Sequence, residues 1–181
     1  FVAAPALGHA WLGAYPVDQT MGVRWPGARC LLIGAALVPV AVALSLSVGW
    51  LQARLVDVHA MDQASAPVEQ AVRALDAAGG LPLQLLCLAL LPAVCEELLC
   101  RGTLLTGIGR SLGPRWAVVL SALLFAVLHQ SPLRLVPQAV LGVLLGVLTL
   151  RARSVLPAMV VHAGHNALLI AAHAGGWLPE D

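Results

Sequence analysis

Charged residues are scarce in this chain of 181 residues. Only 10% of the residues are charged, whereas soluble proteins are about 25% charged. Hydrophobic residues make up 60%, and the mean hydropathy is +0.88. A soluble domain of this size could not bury so much apolar surface. The deficit of charge therefore excludes an ordinary soluble fold and indicates that the hydrocarbon of a membrane surrounds the protein.

Lysine is absent from the sequence. A basic patch and the cysteine spacing of a zinc or redox site are absent as well. The ten basic residues are all arginines, scattered singly without a basic patch, so no nucleic-acid partner is expected. The four cysteines lack the C-x-x-C spacing of a zinc or redox site, and we interpret them as small buried hydrophobes. A lysine-free composition rich in Ala, Leu, Val and Arg is typical of a high-GC bacterium. The predicted location is therefore a bacterial inner membrane, with several passes across it.

The apolar residues fall into runs that approach the length of about 20 residues that a membrane-spanning helix needs. They predict an all-α, polytopic transmembrane bundle with five to six spans and one amphipathic surface helix. The polar stretch Gln52 to Gly80 supplies that surface helix, because apolar residues recur in it at Val68, Ala71, Val72 and Leu75. The predicted spans are Cys30 to Trp50, Leu81 to Leu99, Trp116 to His129, Leu135 to Leu150 and Leu156 to Ala174, with Phe1 to Gly13 as a partial sixth.

A first group of polar residues interrupts the second predicted span. Charged groups inside membrane spans cost several kcal/mol and are tolerated mainly where they pair or have a function. Glu97 and Arg101 are four residues apart, so they share a helix face and are expected to form an ion pair. Glu96 lies about 100° around the helix, without a local partner.

Two further groups lie in later spans. Phe125 precedes His129 by one helical turn, and His162 precedes Asn166 by the same spacing. If residues 112–114 form the turn of a helical hairpin, Glu96 and His129 both lie roughly 25 Å from that turn at 1.5 Å per residue. They are therefore expected to face each other at one depth. Gly142-Val-Leu-Leu-Gly146 is interpreted as a close helix contact.

The three groups together contain the parts of a hydrolytic site. A carboxylate beside a histidine in a low-dielectric setting is a competent base for activating water. A second histidine and an amide supply hydrogen-bond donors for the negative oxygen that forms when water attacks a carbonyl. Each group alone is more often structural, but three of them on separate spans form a more specific signal.

These motifs, E-E-x-x-x-R, F-x-x-x-H and H-x-x-x-N, resemble those of the CPBP family of intramembrane proteases, the CAAX protease and bacteriocin-processing group also called Abi. The similarity covers about Leu81 to Ala172. The resemblance implies that Glu96 and His129 activate the hydrolytic water and that His162 and Asn166 stabilise the oxyanion. It assigns supporting roles to Glu97, Arg101 and Phe125. His165 matches no position of the family pattern.

The apolar runs, together with the resemblance over the core, predict four segments of the chain. Residues 1–29 are interpreted as the end of an upstream membrane segment and a linker, and residues 30–80 as the first full span with the amphipathic helix. Residues 81–175 form the CPBP-like catalytic core, and residues 176–181 form a tail. Because the chain opens inside an apolar segment, we expect it to be a piece of a longer chain. Its expected partners are membrane lipids, other membrane spans fused to or associated with it, and a membrane-anchored or hydrophobic peptide substrate.

Three alternatives stay open at this point. Glu96, His129 and His162 form a plausible ligand set for a catalytic zinc with water in the fourth position. However, no H-E-x-x-H motif occurs, and a metal-free glutamate mechanism without a cofactor is favoured. The same buried polar residues could form an ion path in a transport-associated module. A non-proteolytic scaffold is the third alternative, disfavoured by the cost of burying Glu96 unpaired.

Overall fold

The computed structural model of the protein describes residues 21–56 and 66–177. All regular structure in these ranges is helical, which confirms the predicted all-α bundle. The predicted partial span Phe1 to Gly13 lies outside the described residues. The helices are α1 (Ala28–Leu55), α2 (Ala66–Gln84), π1 (Leu85–Leu90), α3 (Leu91–Glu97), π2 (Leu98–Leu104), α4 (Leu105–Leu112), α5 (Pro114–Leu128), α6 (Pro132–Ala152) and α7 (Leu156–Ala174).

Within residues 21–56 and 66–177, three continuous helical stretches are long and apolar enough to cross a membrane: Ala28–Leu55, Glu69–Leu112, which runs from α2 through α4, and Pro132–Ala152. Helix α5 is apolar but has only 15 residues, which matches the short run expected there. Helix α7 has 19 residues, and its histidines and asparagine lower its apolar content. The predicted spans are thus all helical, although three of them satisfy both length and composition.

Proline and glycine set the helix boundaries. Pro114, Pro132 and Pro157 lie in the first turns of α5, α6 and α7, where their missing N–H groups break no helical hydrogen bond. Gly113 has φ 84° and forms the predicted hairpin turn between α4 and α5. Gly80 has φ 62° and kinks α2, so the predicted helix end at this glycine is a bend after which the chain continues as a helix.

Small residues let the helices approach closely. A methyl group added at Gly142 of α6 would lie 2.9 Å from the Cα of Ala122 in α5, which confirms the predicted role of the G-x-x-x-G pair in packing. A methyl group at Gly164 of α7 would similarly meet the Val38 side chain of α1 at 2.6 Å. These two contacts hold α5 against α6 and α1 against α7.

Candidate active site

The acidic pair ends a short α-helical segment between two π-helical ones. Pro92 opens α3, and Glu96 and Glu97 close it before π2 begins. π-Helical turns inside α-helices are frequent at functional sites because they redirect side chains locally. The two neighbouring carboxylates enter different surroundings. Glu97 is fully buried, whereas the Glu96 side chain keeps 19% of its surface exposed.

Glu97 lies at the centre of a buried polar network. Its Oε1 accepts hydrogen bonds from Arg101 Nη1 at 2.7 Å and from His162 Nδ1 at 3.0 Å. Arg101 Nη2 also donates to the Gly142 carbonyl oxygen at 3.0 Å. The predicted ion pair between Glu97 and Arg101 is confirmed. The network joins three segments, π2, α6 and α7, to the end of α3.

Phe125 packs at the meeting point of these groups. The Arg101 guanidinium lies 4.4 Å from the centroid of its ring, a distance at which a cation is attracted to an aromatic face. The rings of His129 and His162 meet the Phe125 ring edge to face, with centroids 4.8 Å and 5.4 Å away. The fully buried Phe125 therefore separates the two histidines and fixes where each can lie.

Glu96 and His129 face each other, as the helix arithmetic predicts. Their atoms Oε2 and Nε2 are 3.9 Å apart. His129 Nδ1 lies 2.9 Å from the Phe125 carbonyl oxygen, which can only accept, so Nδ1 carries the proton. In the neutral ring, Nε2 therefore presents a lone pair toward Glu96. Glu96 Oε2 is buried and has no hydrogen-bond partner among the described residues.

A cavity of about 480 Å³ opens beside this pair. Its wall is largely apolar, with side chains from α1, α2, π1, α3, α6 and α7. The polar lining includes Glu96, His129, Ser45, Gln138, His165 and Asn166.

The cavity contains only some of the site residues predicted from the sequence. Glu96, His129 and Asn166 line it, whereas His162 and Glu97 do not. His162 is 1% exposed and is held by Glu97. Asn166 Nδ2 donates to the Leu88 carbonyl oxygen at 3.4 Å. The i, i+4 spacing placed His162 and Asn166 on one face of α7, but the two side chains have different partners.

Other lining residues carried little sequence signal. Ser45 lies in an apolar run that shows no functional motif. Gln138 Oε1 is buried and lacks a hydrogen-bond partner among the described residues. Arg134 also reaches the cavity. For Gln138, the only available signal was its position one helical turn after Arg134 in an otherwise apolar helix.

A catalytic zinc would need three protein ligands close together at this site. Within residues 21–56 and 66–177, no group of three His, Cys, Asp or Glu side chains is placed to hold one. The candidate set Glu96, His129 and His162 is divided, because the His162 ring bonds to Glu97 outside the cavity. These residues, as placed, do not fit a three-ligand zinc centre.

Comparison with known proteins agrees with the resemblance noted in the sequence. A family model described as type II CAAX prenyl endopeptidase Rce1-like matches residues 78–168, about half of the chain. Searches of curated proteins and of solved structures found no match. The matched range contains Glu96, Arg101, His129, His162 and Asn166. With its apolar helices, the chain is an integral membrane protein that belongs to the CAAX prenyl endopeptidase family, within the CPBP group of intramembrane proteases.

Proposed function

We propose that this protein is a glutamate-based intramembrane endopeptidase that hydrolyses a peptide bond of a membrane-associated protein or peptide. We place it as a multi-pass protein in a bacterial inner membrane. The observation that carries the mechanism is the pairing of Glu96 Oε2 with His129 Nε2 at 3.9 Å beside the cavity. An unpartnered carboxylate oxygen is costly in a membrane unless it works on a ligand.

The separation of these two atoms suits one bound water molecule. At 3.9 Å they are too far apart for a direct hydrogen bond, and once the Glu96 carboxylate turns its buried Oε2 toward the cavity, one water about 2.8 Å from each can bond both. Glu96 Oε2 and the lone pair of His129 Nε2 are both acceptors. The water would therefore donate both of its hydrogens to the protein. Its oxygen lone pairs would remain free to attack a carbonyl carbon.

The reaction follows from that arrangement. The water oxygen bonds to the substrate carbonyl carbon, one water proton passes to Glu96, and negative charge develops on the carbonyl oxygen. The C–N bond then breaks, and the leaving amine takes the proton from Glu96. No step in this sequence requires a metal ion or a cofactor.

Two residues of α7 are proposed to stabilise the negative oxygen. Asn166 lines the cavity and can donate from Nδ2. His162 shares this role by resemblance to the family. Its Nδ1 donates to Glu97, which orients the ring, so Nε2 donates to the oxyanion only when it carries a proton as well, giving the imidazolium form beside the Glu97 carboxylate. Glu97, Arg101 and Phe125 support the site by fixing that ring.

The cavity wall favours an apolar substrate segment. Leu88, Leu133, Leu169 and Ile170 all line it, so side chains without charge would bury there at a gain of roughly 25 cal/mol per Å². A prenylated protein is one candidate, by analogy with the family description. A hydrophobic peptide that has no lipid is the other.

Cleavage of a membrane-presented peptide library by the purified protein tests the proposal, with products read by mass spectrometry. Wild type is compared with Glu96→Gln, in the presence and absence of a chelator. Glu69→Gln is the matched control, because Glu69 is exposed and pairs with Arg73 outside the cavity. We expect cleavage by wild type and Glu69→Gln, with or without chelator, and none by Glu96→Gln. Loss of cleavage on chelation would favour the zinc mechanism, and no cleavage at all would favour a scaffold or transport role.

A further inference from the structure

His165 and Ser45 line the cavity, yet the proposed reaction uses neither. His165 is 2% exposed, and both of its ring nitrogens have partners. Nε2 lies 3.0 Å from Ser45 Oγ of α1, and Nδ1 lies 3.1 Å from Asn166 Oδ1 on its own helix. The three side chains form a hydrogen-bonded row that ends on a residue proposed to contact the substrate.

The other end of the Asn166 amide is anchored by the backbone of π1. Asn166 Nδ2 lies 3.4 Å from the Leu88 carbonyl oxygen. In an α-helix that carbonyl would accept from the N–H of the residue four positions later, which is Pro92. Proline has no N–H and cannot make that bond. Leu88 lies in π1, where the i to i+5 pattern pairs its carbonyl with the N–H of Ala93, and the Asn166 amide is a further donor to the same oxygen.

The anchor sets the direction of every hydrogen bond in the row. A carbonyl oxygen only accepts, so the NH₂ end of the Asn166 amide faces Leu88 and Oδ1 faces His165. His165 Nδ1 must then carry the proton that it donates to Oδ1. The neutral ring consequently has its lone pair on Nε2, which accepts the hydroxyl proton of Ser45. Each group has one role, and the roles agree along the whole row.

We infer that Ser45 and His165 are positioning residues that hold the Asn166 amide with its second Nδ2 hydrogen available to the substrate; this inference rests on the proposed function. An amide rotated by 180° would present its oxygen to the developing negative charge and would repel it. The Ser45 hydroxyl holds His165 in the Nδ1-protonated form, and His165 excludes that rotation. The row therefore keeps a donor at the cavity surface before the substrate arrives.

Double-mutant kinetics test this inference on the peptide that the wild type cleaves. We expect Ser45→Ala and His165→Leu each to lower kcat by roughly 10- to 100-fold, as is typical when a residue that orients a functional group is lost. KM should change less than twofold. In an Asn166→Leu background, neither substitution should lower kcat further, because both act through Asn166. Ser45→Thr, which keeps the hydroxyl, should recover most of the activity.

Ser47→Ala is the matched control, since Ser47 is exposed on the same helix two residues away and does not line the cavity. It should leave kcat unchanged. Additive losses in the Asn166→Leu background would overturn the inference, because they would indicate a merely structural contact between α1 and α7. Covalent labelling of Ser45 by a fluorophosphonate would also overturn it, since Ser45 would then be a nucleophile.

A spectroscopic readout separates this inference from the protease proposal. Nitrogen-15 NMR of the labelled histidines in the purified protein reports which ring nitrogen of His165 carries the proton, whether or not any peptide is cleaved. We expect the Nδ1-protonated form in wild type and a mixture of forms in Ser45→Ala. An Nε2-protonated His165 in wild type would overturn the row as described, whatever the library experiment gives. Failure of cleavage with the expected NMR result would instead count against the proposed function alone.

Discussion

Glu96 and Glu97 are neighbours in the chain but have opposite surroundings. Glu97 is fully buried and its Oε1 accepts from Arg101 and His162, while its Oε2 has no hydrogen-bond partner among the described residues. Glu96 Oε2 has none there either, but Glu96 has no arginine beside it, keeps 19% of its side chain exposed and lies beside a cavity. Burial of a charge is tolerated when partners compensate it. The comparison indicates that the compensated carboxylate supports the structure and the uncompensated one is available for chemistry. Substitutions on each side can break or sharpen this contrast.

The largest effect is expected at Glu96. Glu96→Gln keeps the size of the side chain but removes the base, so kcat should fall by about 10²- to 10⁴-fold. Because Glu96 Oε2 has no hydrogen-bond partner to lose, the free energy of unfolding should change little. Peptide cleavage and denaturant titration in detergent measure the two quantities. An active Glu96→Gln variant would contradict the assignment of Glu96 as the base.

The opposite pattern is expected at Arg101. Arg101→Leu leaves the buried Glu97 carboxylate without its cation, which typically costs about 3 to 5 kcal/mol of unfolding free energy. Denaturant titration checks the loss. Arg73→Leu is the control, since its pair with Glu69 is exposed and contributes roughly 0.5 kcal/mol. Equal effects at the two arginines would remove the distinction between buried and exposed pairs on which the comparison rests.

His162 has two roles to separate: it holds Glu97 in the buried network, and it is proposed to donate to the oxyanion. His162→Gln should lower kcat by about 10²- to 10³-fold if the ring donates to the oxyanion. It should also lower the unfolding free energy by about 1.5 to 3 kcal/mol, because a hydrogen bond to a charged group is weakened. Activity must be scaled by the folded fraction. A loss of stability with unchanged scaled kcat would restrict His162 to holding Glu97.

The smallest effect is expected where α5 and α6 meet. Gly142→Ala would place a methyl group 2.9 Å from the Cα of Ala122, so the two helices must move apart. Such overpacking typically costs about 1 to 3 kcal/mol. Gly107→Ala is a control, since nothing lies within 4 Å of a methyl group added there. Denaturant titration should separate the two variants, and equal stabilities would show that the close contact is not needed.

Much of the fold could be predicted from the apolar runs, because a helix is the simplest way to satisfy a backbone inside lipid. The turn at Gly113 was predictable from the Gly113-Pro114 pair, since glycine commonly ends one helix and proline opens the next, and helical rise then converts sequence separation into depth. It was not predictable which site residues line the cavity and which form the buried network around Glu97. Ser45 carries no motif, and its contact with His165 joins residues 120 positions apart. Only the packing of α1 against α7 creates that contact.

The sequence by itself determined the membrane setting, the helical class, the pairing of Glu97 with Arg101 and the opposition of Glu96 and His129. These follow from composition and helical periodicity, which act locally along the chain. The tertiary structure alone decided that His162 bonds to Glu97 and that Asn166 lines the cavity. Both lie on one helix face, and their separation depends on which neighbouring helix offers each a partner. Those partners come from segments that are distant in the sequence. The packing between these segments cannot be read from the spacing of residues along one helix.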